Sequence, residues 1–104
     1  MTLGERYAGA LPPIWITENG CAYHAIEDVD RVEYLDGHLR AVRAAIDAGV
    51  PVQAYLHWSL LDNWEWSDGF TQRFGLVHVD YETQARTPRA SYDWYRDVIA
   101  RSRS

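Results

Sequence analysis

Apolar and polar positions along the chain fall into a short succession of blocks. Ile14-Trp15-Ile16-Thr17 is a continuous β-branched and aromatic run. It lacks the alternation of a half-exposed strand and reads as a strand covered on both faces, as in a parallel sheet. Asn19-Gly20 is a turn signal that stops this strand just after Glu18. From about Asp30 to Ala48, the residues Val32, Leu35, Leu39, Val42 and Ile46 recur at steps of three and four, which lines one face of a helix. Asp30 and Glu33 have the spacing of a capping box, and Gly49 with Pro51 closes the far end. Val52 to Trp58 is a second strand of the same unalternating kind. Strand, helix and strand in this order predict a βαβ unit with parallel strands and a right-handed crossover.

Residues 59–74 are irregular and rich in aromatics, and Gly75–Tyr81 predicts a further short strand. Thr87-Pro88 reads as an N-cap with proline at the first helical position. It opens a final helix from Pro88 to about Arg101, with Tyr92, Tyr95 and Ile99 on one face. Ahead of the first strand, residues 2–8 have weak helical character, which Pro12 and Pro13 break. No repeat or linker interrupts the chain, so residues 1–104 read as a single α/β domain.

Composition narrows the function classes. At 104 residues, 47% hydrophobic and 24% charged, the chain is the size and make-up of one globular domain rather than a disordered or collagenous segment. No apolar run approaches the roughly 20 residues a membrane helix needs. A net charge of −5 argues against a nucleic-acid footprint, which requires clustered positive charge. No basic n-region followed by an apolar stretch opens the chain, so no secretory leader is legible and a cytoplasmic location is favoured. Cys21 is the single cysteine, which excludes an internal disulfide. All ten basic residues are arginine, so neither a lysine Schiff base nor a P-loop lysine is available. The histidines show no i,i+4 pair, and neither a metal nor another cofactor is expected. Five tryptophans and seven tyrosines suit cores, interfaces and sugar-binding clefts alike.

Candidate chemistry gathers after the two predicted parallel strands, where barrels and open α/β sheets build their sites. Glu18 ends the first strand and reads either as a working carboxylate or as the cap of a turn. Glu65, between Trp64 and Trp66, can accept two sugar hydroxyls while the indoles stack on a pyranose face; it can equally be a solvated loop acid beside core tryptophans. Trp58 carries the same two readings. His57 can titrate near neutrality, or it can be a packed strand histidine. Cys21 reads as a small residue near the turn, with no histidine placed to activate it. Asp62 and Asp68 read as loop structure.

Joined in order, these segments resemble a known family. Ile16-Thr17-Glu18-Asn19-Gly20 is similar to the nucleophile motif of family 1 glycoside hydrolases, the β-glucosidase family. Trp58-Ser59-Leu60-Leu61-Asp62-Asn63-Trp64-Glu65-Trp66, Arg73-Phe74-Gly75-Leu76 and Val79-Asp80-Tyr81 resemble later segments of that family in the same order. Arg31, Tyr34, Leu35, His38 and Leu39 match its helix signature, and Arg86-Thr87-Pro88 its closing turn. The resemblance implies a retaining β-glucosidase on a (β/α)8 TIM barrel, with Glu18 as catalytic nucleophile of a double displacement. It further implies that Trp58 stacks on the sugar and that the Trp58–Ser59 peptide is cis. By the same resemblance Glu65 binds two hydroxyls, Trp66 donates its indole N–H to another, and Phe74 closes the pocket near the sugar's terminal carbon. A glucose- or galactose-like β-glycoside is the implied ligand.

One departure is larger than any substitution. The family's acid/base glutamate sits in an Asn-Glu-Pro motif, and these 104 residues contain no such tripeptide. The resemblance covers the last two of eight βα units, about a quarter of a barrel, with residues 1–13 as the remnant of the preceding helix and loop. The expectation is therefore a fragment with little or no activity by itself. A non-catalytic sugar-binding or self-assembling module is the alternative. Two parallel strands leave edges and apolar faces uncovered, so the expected partners are the missing N-terminal portion of the barrel or further copies of the chain. Four copies would supply eight strands.

Overall fold

The computed structural model describes residues 11–102. The helix expected over residues 2–8 lies outside the described residues. Strand β1 (Ile14–Asn19), helix α1 (Val29–Asp47) and strand β2 (Val52–His57) form the expected parallel βαβ unit. Ile14 stands opposite Val52, Ile16 opposite Tyr55 and Asn19 opposite His57, with two breaks in register between them. Gly49 ends α1 at φ 96°, the left-handed conformation that favours glycine. The start of α1 differs from the capping-box reading. Asp28, not Asp30, is the N-cap, and its carboxylate makes no cap bond to the helix. It is drawn away by stronger partners, a guanidinium and the start of the last helix.

Beyond β2 the chain is irregular as far as Leu76, with one 3-10 turn at Trp66–Asp68. Strand β3 (Val77–Val79) is shorter than the sequence suggests and pairs antiparallel with β4 (Arg86–Pro88). Thr87 and Pro88 therefore lie in a strand, and helix α2 (Ala90–Ser102) starts two residues after Pro88. The fixed φ of proline suits an exposed edge strand as well as a first helical turn, and pairing with β3 decides between them.

Burial corrects a second expectation. The two parallel strands are not covered on both faces: Trp15 is 62% and Leu56 49% exposed. A two-stranded sheet with helices on one side leaves its other face open. The interior is small and unusually polar. Among the described residues, Leu35, Leu76, Val77 and Val79 are the buried apolar side chains, while Asp28, Arg31, Ser59, Asp62, Arg89 and Ser91 are buried polar ones. A radius of gyration of 16.0 Å, against about 13 Å for a compact 100-residue domain, describes an open slab.

Candidate active site at the strand ends

The carboxyl ends of β1 and β2 are tied together directly. Trp58 N–H donates to the Asn19 carbonyl at 2.9 Å, and Tyr55 Oη–H donates to Asn19 Oδ1. Gly20 makes this approach feasible. A Cβ at Gly20 would lie 2.0 Å from the Trp58 carbonyl oxygen, far inside van der Waals contact. Glu18, one residue before Asn19, is thereby held at the joined strand ends, where it is exposed to solvent.

The aromatic segment folds back over the same ends. The Trp58–Ser59 peptide is cis. Ser59 N–H donates to the Phe74 carbonyl at 3.1 Å, and Leu76 N–H returns to the Ser59 carbonyl at 2.9 Å. Trp58 Nε1–H donates to Glu65 Oε1 at 2.8 Å, so the indole and the carboxylate form one polar unit. Glu65 is fixed further by its own N–H on the Gly69 carbonyl. Trp58, Glu65 and Phe74 are thus linked by backbone and side-chain bonds to one another and, through Asn19, to the strand end that carries Glu18. Trp66 is different: it is 80% exposed, at φ 42°, with its ring 5.6 Å from that of Trp64.

Asp62, read from the sequence as loop structure, is the hub of the segment. Its Oδ1 accepts the Gly75 N–H (3.0 Å) and Arg89 Nη1 (2.9 Å). Its Oδ2 accepts Arg73 Nη1 (2.6 Å), the Val79 N–H (3.1 Å) and Arg89 Nη2 (3.2 Å). Burial opposes its charge, but the bonds from Arg89, Arg73 and Val79 outweigh burial and hold the carboxyl below its ordinary range. A second buried pair joins Asp28 to Arg31, with Asp28 also accepting the Ser91 N–H and Oγ–H. Asp28 and Arg31 are only three residues apart, but nothing local in the sequence marks the longer contacts, because Arg89 stands 27 residues from Asp62 and Ser91 stands 63 from Asp28.

The remaining candidates take structural roles. His57 packs edge-on against Tyr95, and neither ring nitrogen finds a hydrogen-bond partner among the described residues. Burial, aided by the charge of Arg31, pushes its pKa down to about 4. The packed-histidine reading holds. Cys21 is half-buried, and burial raises its thiol pKa, which disfavours a thiolate. Asp68 lies exposed in the 3-10 turn. No group of three or more His, Cys, Asp or Glu among the described residues could hold a metal ion.

Parallel strands joined by a helix, with candidate side chains gathered at their carboxyl ends, are the layout on which (β/α)8 barrels build their sites. The family model for glycosyl hydrolase family 1 matches residues 1–104, and the chain belongs to that family. It is 44% identical over 109 residues to the bifunctional beta-D-glucosidase/beta-D-fucosidase of Bifidobacterium breve, a match that covers 94% of this chain and 23% of the relative. It is 47% identical over 100 residues to a beta-glucosidase of an Agrobacterium species, covering 90% and 21%. Among solved structures, the psychrophilic beta-glucosidase of Micrococcus antarcticus superposes with a TM-score of 0.90 at 47% identity, covering 98% of this chain and 23% of that one. The family 1 beta-glucosidase of Thermotoga maritima follows at 0.87 and 41%, covering 94% and 23%. That enzyme has been solved with glucoimidazole and with deoxynojirimycin. The chain thus spans about a quarter of the length of these relatives, and its fold is a quarter of the (β/α)8 barrel.

Proposed function

We propose that the chain is the nucleophile-bearing, sugar-holding part of a retaining β-glucosidase, comprising the last two βα units of the barrel as one partial domain. Glu18 attacks the anomeric carbon of a β-glucoside, the bond to the aglycone oxygen breaks, and water then hydrolyses the glycosyl ester. Trp58 supplies the stacking face, Glu65 binds two hydroxyls, Trp66 donates to a third, and Phe74 bounds the pocket. The observation that carries this reading is the joining of Glu18's strand end to the Trp58–Glu65 unit through the Asn19 carbonyl.

With no Asn-Glu-Pro in the sequence, leaving-group protonation is unsupported. General acid help is typically worth about 10²–10⁴-fold. The 104-residue chain should therefore turn over an activated aryl β-glucoside weakly and an alkyl β-glucoside not at all, and Glu18→Gln should abolish the aryl turnover. Equal rates on both substrates, or aryl turnover that survives Glu18→Gln, would overturn the reading. The second reading is a sugar-binding or self-assembling fragment without catalysis, favoured by the open sheet face around Trp15 and Leu56. In either reading the partners are the remaining part of a barrel or further copies of the chain.

A further inference from the structure

Two buried arginines span the gap between the segment that follows Glu18 and the turn that carries Phe74. Arg31 Nη2 donates to the carbonyls of Cys21 (3.2 Å) and Tyr23 (2.9 Å) on one side and of Arg73 (2.8 Å) on the other. Arg89 Nε and Nη2 donate to the carbonyls of Ala25 (3.0 Å) and His24 (3.3 Å), while Nη1 donates to that of Gly75 (2.7 Å). The 21–25 segment is thus gripped at four carbonyls. Across from it, the two gripped carbonyls belong to the residues on either side of Phe74. Each guanidinium is paired with a buried carboxylate, Arg31 with Asp28 and Arg89 with Asp62, which Arg89 shares with Arg73. Arg89 uses all three of its nitrogens on five acceptors, which is the full donor capacity of a guanidinium.

A hydrophobic contact could hold two loops near each other, but it would not fix them to a fraction of an ångström. A planar fork with several charge-assisted bonds does so. We propose that Arg31 and Arg89 are positioning residues that set the nucleophile strand end against the sugar-holding loop; this rests on the function proposed above. Neither arginine touches the sugar. They act through backbone carbonyls, by keeping Glu18 at attacking distance from a ring held by Trp58 and Glu65. Misplacement by about 1 Å can cost on the order of 10²-fold in rate while leaving binding nearly intact. A role confined to stability would weaken binding and reaction together.

The test uses the full 104-residue chain with Arg89→Lys and, separately, Arg31→Lys. Lysine keeps the charge beside the aspartate but cannot span both loops. Three readouts are taken on each: amide hydrogen exchange over 20–28 and 59–77, the dissociation constant for deoxynojirimycin from tryptophan fluorescence, and the rate at which a 2-fluoro glucoside with an activated leaving group esterifies the chain. The expected result is at least 10-fold faster exchange in both segments together, a binding change under about threefold, and an esterification rate lowered by about 10–100-fold. Unchanged exchange, or equal losses in binding and rate, overturns the proposal. A native chain that is never esterified overturns the proposed function, and this proposal with it. A native chain that is esterified as fast as its lysine variants overturns this proposal alone. Should Arg89→Lys fail to fold, the Arg31→Lys chain carries the same test alone, since its carboxylate partner Asp28 is bonded to Arg31 and Ser91 and to no second guanidinium among the described residues.

Discussion

At the scale of single residues, close approach and burial decide what each position tolerates. Gly20 is the clearest case. Its missing side chain is what allows the end of β1 to lie against the Trp58 carbonyl. Gly20→Ala should push Trp58 away from the strand end and weaken deoxynojirimycin binding by at least tenfold, read by tryptophan fluorescence. Unchanged binding would show that the contact does not position the indole. His57 predicts a pH dependence. Its folded pKa of about 4 lies below the ordinary 6.5, so between these values the unfolded chain binds a proton that the folded chain does not. Stability from this residue is therefore complete above pH 6.5 and declines as the pH falls toward 4. Urea midpoints measured across that window should fall with pH in the native chain and flatten in His57→Phe.

At the scale of elements, ionic pairs do the work that an apolar core does elsewhere. Asp28 joins the start of α1 to the start of α2, through Arg31 on one side and Ser91 on the other. Asp28→Ala strands a fully buried guanidinium and should cost roughly 3–5 kcal/mol, whereas Ser91→Ala removes one hydrogen bond and should cost about 1 kcal/mol. Urea denaturation separates the two, and equal costs would contradict the account. The same pairs mark the limit of what the sequence discloses. α1 is legible because its periodicity is local, the parallel strands because each is a short run of strand length rich in apolar residues, and Gly49 announces its own helix end. The strand at Arg86–Pro88 is not legible, because Thr87-Pro88 suits a helix start equally and only the pairing with β3 selects the strand. Of the candidate site, Glu18, Trp58, Glu65, Trp66 and Phe74 are the residues that the resemblance of ordered motifs proposes. Arg31 is named by the helix motif, but the clamp made by Arg89 is invisible, since Arg89 meets Ala25 across 64 residues and no short spacing encodes such a contact.

At the scale of the whole molecule, the chain is an open piece of a closed architecture. Trp15 at 62%, Leu60 at 59% and Leu56 at 49% exposed lie on or beside a two-stranded parallel sheet with free edges. Such edges and faces are templates for association. Light scattering on the purified chain should show a mean mass that rises with concentration; a folded monomer at all concentrations would contradict this. The strand ends behave differently, because their contacts close within the chain. Trp58, Glu65 and Phe74 are anchored by bonds to β1 and to the 59–76 segment, and the two arginines clamp the loop that follows Glu18. The central claim is that this half of the site is organised by the chain itself.

The most direct test is the intact mass of the chain after incubation with a 2-fluoro glucoside bearing an activated leaving group. Such a reagent forms the glycosyl ester without help from a general acid. The account predicts a gain of one 2-fluoroglucosyl unit in the native chain and none in Glu18→Gln. A folded native chain that gains no sugar, or a Glu18→Gln chain that gains one, would contradict it.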